Sequence, residues 1–269
     1  MRNPAVAGQF YPASAAELKH QLEEMLHSAA AEEVHALGAV VPHAGYMYSG
    51  AVAAEVYSRL PERETYVILG PNHHGIGAAV ALSRDSWRTP LGIVEADIEL
   101  ADALAGSIID HDELAHRHEH AVEVQIPFLQ ARFQEFRVLP IVMGLQDEET
   151  AVEVGEEVAK AALMLKRSCT VIASSDFTHY ERQEVARRVD SQLIEAILNM
   201  DVSELYARVY ENNATACGYG PIAAAITAAT ALAASTGKAA SGKLLRYATS
   251  GDVTGDRSQV VGYGAIIFS

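Results

Sequence analysis

The segment Tyr66-Val67-Ile68-Leu69-Gly70-Pro71-Asn72-His73-His74 contains the two features that decide the fold. Its first four residues are an uninterrupted apolar run, which is typical of a strand that is buried on both faces. The run continues directly into a polar loop that ends in a pair of histidines. The pattern therefore predicts a central strand whose carboxyl end presents ligand side chains to a crevice.

Three other short polar clusters are placed in a similar way along the chain. PHAGY at residues 42–46 follows the apolar run 37–41, and SSDFTH at residues 174–179 follows the run 170–173. TACGYG at residues 215–220 leads into an apolar helical segment. Because ligands bind at the carboxyl ends of strands in open α/β sheets, we expect all four clusters to line one pocket.

Strand-like and helix-like segments alternate along the chain. Strands are predicted at residues 37–41, 66–69, 136–143, 170–173, 244–249 and 261–268, with edge strands and a turn within 78–93; helices are predicted at 14–31, 49–60, 98–108, 120–133, 148–166, 183–200, 202–212 and 220–235. This alternation predicts an α/β fold with a central, mostly parallel sheet flanked by helices. The loop between the last two strands is too short for a crossover helix, so that pair is predicted to be antiparallel and the sheet mixed. Without repeats or Pro/Ser-rich linkers, one domain is expected over residues 1–269.

Composition excludes several classes of partner. The 269 residues are 49% hydrophobic, which permits a sizeable core, and the net charge of −15 comes without any Lys/Arg cluster. Nucleic acids and anionic membrane surfaces are therefore not expected partners. No apolar run reaches the roughly 18 residues of a spanning helix, and no signal core follows Met1. Two cysteines make no disulfide framework, so we expect a soluble, cytoplasmic protein.

His43, His73 and Cys217 are the candidate metal ligands. Neutral imidazole is the commonest protein ligand for metals, and a thiolate favours Zn²⁺, Fe²⁺ or copper. A helix that begins near Gly220 is expected to lower the pKa of the Cys217 thiol. Taken singly, a loop histidine usually forms hydrogen bonds and a lone cysteine usually packs as a small apolar residue. The metal hypothesis therefore depends on the shared position of these residues at strand ends.

Asp176 and His179 are candidates for proton transfer. An aspartate three residues from a histidine can hold the imidazole in one tautomer and leave its other nitrogen free to move a proton. The alternative is that Asp176 caps a turn while His179 lies at the surface beside Tyr180. The spacing alone favours neither interpretation.

The run His116-Arg117-His118-Glu119-His120 is the densest histidine cluster in the chain. It contains no HExxH motif, so it is predicted to be a solvated loop that leads into a helix. His120 and Glu123 lie one turn apart on that helix, and both are expected to reach the metal site as outer groups.

The full set of motifs resembles the Memo family. The segments that carry the resemblance are AGQFYPAS (7–14), PHAGYMYSG (42–50), VILGPNHH (67–74), WRTPLG (87–92), EHAVEVQIPFL (119–129), SSDFTHY (174–180), Cys217-Gly218 and residues 247–250. That family is similar in fold to the class III extradiol dioxygenases, whose non-haem iron is held by two histidines and a glutamate. The resemblance implies that His43 and His73 are metal histidines, that Cys217 is a cysteine ligand and that His74 is an outer group. It also implies that Asp176 and His179 line the pocket.

Three functions are compatible with this resemblance. The first is a redox-active, dioxygenase-like enzyme with Fe²⁺, or copper, in which His179 acts as general base or acid on an unknown small-molecule or peptide substrate. The second is a non-catalytic metal-binding or protein-interaction module, because eukaryotic relatives are linked to phosphotyrosine signalling; the absence of a Lys/Arg cluster disfavours a phosphopeptide. The third is a zinc-assisted hydrolase. The resemblance further implies a functional link to a radical-SAM protein.

Overall fold

The computed structural model describes residues 1–29 and 32–269, and a mixed sheet of nine strands forms its centre. In chain order the strands are β1 (Gly38–Val41), β2 (Thr65–Pro71), β3 (Val80–Leu82), β4 (Trp87–Thr89), β5 (Gly92–Val94), β6 (Asp110–His111), β7 (Arg137–Met143), β8 (Cys169–Ser174), β9 (His179–Glu181), β10 (Gly242–Thr249) and β11 (Val260–Phe268). The order across the main sheet is β10-β11-β1-β8-β2-β7-β3-β6, and β9 pairs with β11. Strands β4 and β5 form a separate hairpin.

The middle of the sheet is parallel. Strands β1, β8, β2 and β7 pair in parallel, so their carboxyl ends lie at one edge. Strand β11 runs antiparallel to both β1 and β10, which confirms the predicted mixed sheet. The predicted clusters 42–46, 70–74 and 174–179 follow β1, β2 and β8, and therefore meet at this edge.

Helices cover both faces of the sheet. They are α1 (Ala15–Ser28), α2 (Tyr46–Tyr57), α3 (Ile98–Ala103), α4 (Glu113–His116), α5 (Ile126–Arg132), α6 (Glu148–Leu165), α7 (Gln183–Leu198), α8 (Val202–Glu211), α9 (Tyr219–Ala234) and α10 (Ser250–Thr254). In β2, Val67 and Leu69 pack into the core that contains α6 to α9, while Tyr66 and Ile68 pack into the core that contains α1, α2 and α5. Within the described ranges, no helix is long and apolar enough to cross a membrane.

Several predicted elements differ from those observed, and the helix predicted at residues 98–108 ends at Ala103 as α3. Helix α1 ends at Ser28, and the final two residues of the predicted helix 14–31 lie outside the described residues. The predicted helix 120–133 is shortened to α5 and a preceding 3-10 turn, Glu123–Gln125, because Pro127 favours the first turn of a helix over its interior. The predicted loop 250–258 contains α10, whose first turn is closed by a capping box between Thr249 and Asp252.

Candidate metal centre

His43, His73 and Cys217 converge at the carboxyl edge of the sheet. One ligand atom from each lies within 4.8 Å of the others. The Sγ atom of Cys217 is 3.1 Å from Nε2 of His43, and the rings of His43 and His73 are 5.1 Å apart and nearly perpendicular. Two imidazoles and a thiol at this separation form a donor set suited to Fe²⁺, Zn²⁺ or copper.

Hydrogen bonds fix the tautomer of His43. The hydroxyl of Ser174 donates to the carbonyl oxygen of Ala121 at 2.6 Å and lies 3.0 Å from Nδ1 of His43. Because that hydroxyl proton is already used, Nδ1 donates to Ser174 and Nε2 keeps a free lone pair that faces Cys217. Burial, and next the neighbouring His73, lower the pKa of His43 to about 3, so the imidazole is in its neutral, metal-binding form at pH 7.

Glu119 orients His73, although the sequence did not identify it as a site residue. Its carboxylate accepts hydrogen bonds from the main-chain N–H of His73 at 2.7 Å and from Nδ1 of the same residue at 2.9 Å. It also accepts from the main-chain N–H groups of His120 and Ala121. Burial opposes ionisation, but the hydrogen bonds from His73 and from the main chain of Ala121 outweigh it and lower the pKa of Glu119 to about 2. A carboxylate behind a ligand histidine is the usual device for directing Nε2 towards a metal.

The predicted solvated loop at residues 116–120 is correct only for Arg117 and His118, which are exposed. His116 and Glu119 are fully buried. Arg2 packs behind this loop and donates to the carbonyl oxygens of His116 and Glu119 at 2.9 and 2.6 Å. Its guanidinium lies 4.2 Å from the ring centre of Trp87. Arg2 also pairs with the buried carboxylate of Glu123, so the charges of both groups are compensated in the interior.

His120 and Glu123 take different positions around the centre. The His120 ring stacks on His73, with centroids 4.6 Å apart, and lines the pocket. Burial, and next the neighbouring His43, lower the pKa of His120 to about 4. Glu123 lies behind the pocket, where its carboxylate binds Arg2 and Tyr11 at 2.5 Å each. It therefore supports the loop through Arg2 and does not contact a candidate ligand directly.

Asp176 and His179 do not form the predicted pair. Asp176 accepts a hydrogen bond from the main-chain N–H of His43 at 2.8 Å, and burial raises its pKa. Nδ1 of His179 lies 2.9 Å from the carbonyl oxygen of Thr215. A carbonyl oxygen only accepts, so Nδ1 of His179 is protonated and Nε2 is free. The tautomer expected for His179 is thus set by a main-chain oxygen and not by Asp176.

The thiol of Cys217 is held between Asp176 and His43. Its Sγ accepts from the main-chain N–H of Asp176 at 3.3 Å. The expected effect of the helix terminus is overridden, because burial and the Asp176 carboxylate raise the pKa of Cys217. A bound cation reverses this balance, since coordination deprotonates a thiol.

A cavity of about 740 Å³ opens over these residues. His43, His73, His120, Asp176 and His179 form its floor, and Phe10, Met47, Tyr48, Tyr180 and Tyr263 contribute apolar walls. His74 points elsewhere: it is exposed, and its Nε2 lies 3.0 Å from the carbonyl oxygen of His118. The site therefore combines a recessed donor set with a roomy, partly apolar chamber.

Comparison with known proteins identifies the family. The family model for Memo-like proteins matches residues 2–267 of the chain. The chain belongs to the Memo family. Relatives named MEMO1 family protein include one from Methanosarcina mazei, 55% identical over 99% of this chain and 98% of the relative, and one from Methanococcoides burtonii, 56% identical over 99% of both. A relative from Archaeoglobus fulgidus is 50% identical over 100% of this chain and 99% of the relative.

A solved structure shares the fold of this Memo-family chain. The crystal structure of the uncharacterized protein JW3007 from Escherichia coli K12 aligns with a TM-score of 0.53 and covers 86% of this chain and 98% of that chain. The sequence identity is 11%, so the similarity concerns the fold alone. What the Memo-family chain can do chemically depends on the geometry of its own side chains.

Proposed function

We propose that this Memo-family protein binds one redox-active metal ion, Fe²⁺ or copper, through His43, His73 and Cys217. We further propose that it acts as a dioxygenase-like oxidoreductase on a substrate in the adjoining cavity. The observation that carries the proposal is the approach of the three ligand atoms to within 4.8 Å of one another beside that cavity, whose lining includes His43 and His73.

The donor groups fit a metal in their chemistry as well as in their spacing. Ser174 and Glu119 each bind the Nδ1 atom of one histidine, which leaves both Nε2 atoms free for coordination. Three protein ligands beside an open chamber are typical of a catalytic metal site, whereas structural sites usually have four ligands. When bound, the metal would supply Lewis-acid and electron-transfer chemistry.

His179 is the proposed proton carrier. Its Nδ1–H is held by the carbonyl oxygen of Thr215, and its Nε2 is free to accept a proton from a substrate in the cavity. Asp176 supports this chemistry indirectly, because it fixes the main chain of His43. The apolar walls reduce the water around the reacting groups, which strengthens the electrostatic interactions within the cavity.

Metal analysis of protein purified without oxygen tests the binding step. We expect about one iron or copper ion per chain in the wild type, as three ligands define a single site. Cys217→Ser and His43→Ala should lose the ion and remain folded. Cys169→Ala and His74→Ala are matched controls, because Cys169 is buried in β8 and His74 faces away from the cavity. Equal metal content in all five proteins would refute the assigned ligands.

Oxygen uptake tests the catalytic step. In the presence of a substrate, the iron-loaded wild type should consume oxygen faster than Cys217→Ser does. His179→Gln should retain iron but lose turnover of the substrate. A protein that binds iron tightly yet never exceeds the Cys217→Ser rate would support the non-catalytic alternative. Zinc at the same ligands, with hydrolysis and no oxygen uptake, would support the hydrolase alternative.

A further inference from the structure

We propose that the cavity selects a small molecule with a flat apolar portion and no negative charge, that an amine is its favoured polar group, and that the ring of Tyr180 binds the flat portion. The inference deepens the proposed function because it concerns the same cavity. It does not require a bound metal, so the two proposals can fail separately.

Tyr180 lies at a β-bulge between β9 and β11. Its neighbours His179 and Glu181 pair with Val261 and Val260 of β11, and the register shifts between those two pairs. Tyr180 has φ of +60°, a left-handed conformation that large side chains adopt at a cost of about 1–3 kcal/mol. Bulges next to active sites re-aim side chains. Here the bulge turns an aromatic ring to the cavity mouth, beside the ring of His179 at a centroid distance of 5.8 Å.

The exposed apolar surface at the mouth points to an apolar ligand. Tyr180 is 72% exposed, Met47 is 59% exposed and Tyr48 is 40% exposed, although all three line the cavity. Phe10 lies deeper and contacts the ring of His120 at 4.7 Å between centroids. Exposed aromatic and apolar side chains around a concave site are typical of ligand pockets. A flat apolar molecule would cover these surfaces.

The charge of the lining disfavours an anion. Asp176 and Asp256 line the cavity, and within the described part of the chain its lining includes no lysine or arginine. Arg257 follows Asp256 in sequence but lies outside the lining. A bound cation can therefore interact with a carboxylate and with aromatic faces at the mouth, whereas a bound anion has no lysine or arginine in the lining to pair with.

Three main-chain N–H groups near the helix termini at the cavity are already paired. The main chain that leads into α2 borders the cavity, and there the N–H of His43 donates to Asp176 and the N–H of Tyr46 donates to the carbonyl oxygen of Phe10. The amino end of α10 is closed by the Asp252 carboxylate, which accepts from the main-chain N–H of Thr249 at 2.8 Å. The partial positive charge of α10 is thus paired with a carboxylate of the chain itself.

Three matched probes test the predicted selection. They are 2-phenylethylamine, 2-phenylethanol and phenylacetate, which share a ring and differ in charge. Binding is measured by calorimetry at pH 7 on the full chain, both as purified and after chelator treatment, since a carboxylate can bind a metal directly. On chelator-treated protein we expect the amine to bind about tenfold more tightly than the acid, with the alcohol between them. Equal or tighter binding of the acid, or no binding of any probe at millimolar concentration, would overturn the inference.

Variants test the two groups that carry the selection. Tyr180→Asn keeps a residue that tolerates positive φ but removes the ring, and it should weaken all three probes about fivefold, while Tyr180→Phe should not. Tyr210→Asn is the control, since Tyr210 is 63% exposed on α8 and does not line the cavity. Asp256→Asn should reduce the preference for the amine over the alcohol. If Tyr180→Asn binds the three probes as tightly as the wild type does, the proposed role of the Tyr180 ring in binding the flat portion is contradicted.

The outcomes separate this inference from the proposed function. A chain that binds no metal but ranks the probes as expected would refute the metal enzyme and retain the inference. A chain that binds iron on the assigned ligands but prefers the acid after chelation would retain the proposed metal site and refute the inference.

Discussion

Replacement of Glu119 by glutamine should weaken metal binding although no proposed ligand is changed. The carboxylate accepts four N–H groups, at 2.7 to 2.9 Å. The glutamine oxygen can still accept three of them, from Nδ1 of His73 and from the main chain of His120 and Ala121. The NH₂ group of the glutamine then faces the main-chain N–H of His73. Both groups are donors, so no hydrogen bond forms between them.

The expected magnitudes follow from this loss. One buried N–H without an acceptor costs about 1–3 kcal/mol of folding free energy. The ring of His73 also loses its anionic partner, and changes of this kind lower metal affinity by about 10- to 100-fold. That range corresponds to about 1.4–2.8 kcal/mol of binding free energy.

Competition with a chromophoric chelator measures the affinity, and urea unfolding of the metal-free protein measures the stability. Glu113→Gln is the matched control, because Glu113 also accepts main-chain N–H groups, those of Arg84 and Asp85, but does not contact His73. If Glu119→Gln binds the metal within twofold of wild type, the orienting role assigned to Glu119 is refuted.

Three further predictions concern stability. Arg2→Met leaves a buried carboxylate unpaired and should cost about 3–5 kcal/mol of unfolding free energy in urea; a loss below 1 kcal/mol would contradict the buried ion pair. Burial lowers the pKa of His116 to about 4, so the unfolded chain binds that proton more readily. Metal-free protein should therefore lose stability as the pH falls from about 6.5 to 4, and His116→Gln should show a shallower fall in urea midpoint. Gly218→Ala should cost about 1–3 kcal/mol in thermal unfolding, because a Cβ atom there lies 2.8 Å from the main-chain oxygen of Ser174, whereas Gly45→Ala, with its nearest neighbour at 3.6 Å, should be tolerated.

The strand-end position of the ligands could be predicted because local sequence determines it. The apolar run Tyr66–Leu69 predicts a buried parallel strand, and β2 is fully buried and parallel to both of its neighbours. Since β1 is parallel to the same central set, His43 and His73 had to emerge at the same edge. The periodicity of the sequence contains this information without any knowledge of distant contacts.

The outer groups could not be predicted because distant or main-chain partners determine them. Glu119 lies in a charged, histidine-rich segment that resembles a solvated loop. It is buried because its carboxylate accepts four N–H groups and because Arg2, 117 residues away, binds the main chain of that loop. The partner of His179 is the carbonyl oxygen of Thr215, and a main-chain oxygen has no signature in the sequence. Contacts of these two kinds are visible only in three dimensions.

The separation of the proposed ligands along the chain has a consequence for how the proposed metal would be acquired. His43 and Cys217 are 174 residues apart, yet their donor atoms lie 3.1 Å from each other. A nascent chain or a proteolytic fragment that lacks either half cannot chelate an ion with this donor set. Loading of the proposed metal would therefore have to follow the folding that brings the two residues together, and occupancy of the site would report that both halves of the polypeptide have reached the native state.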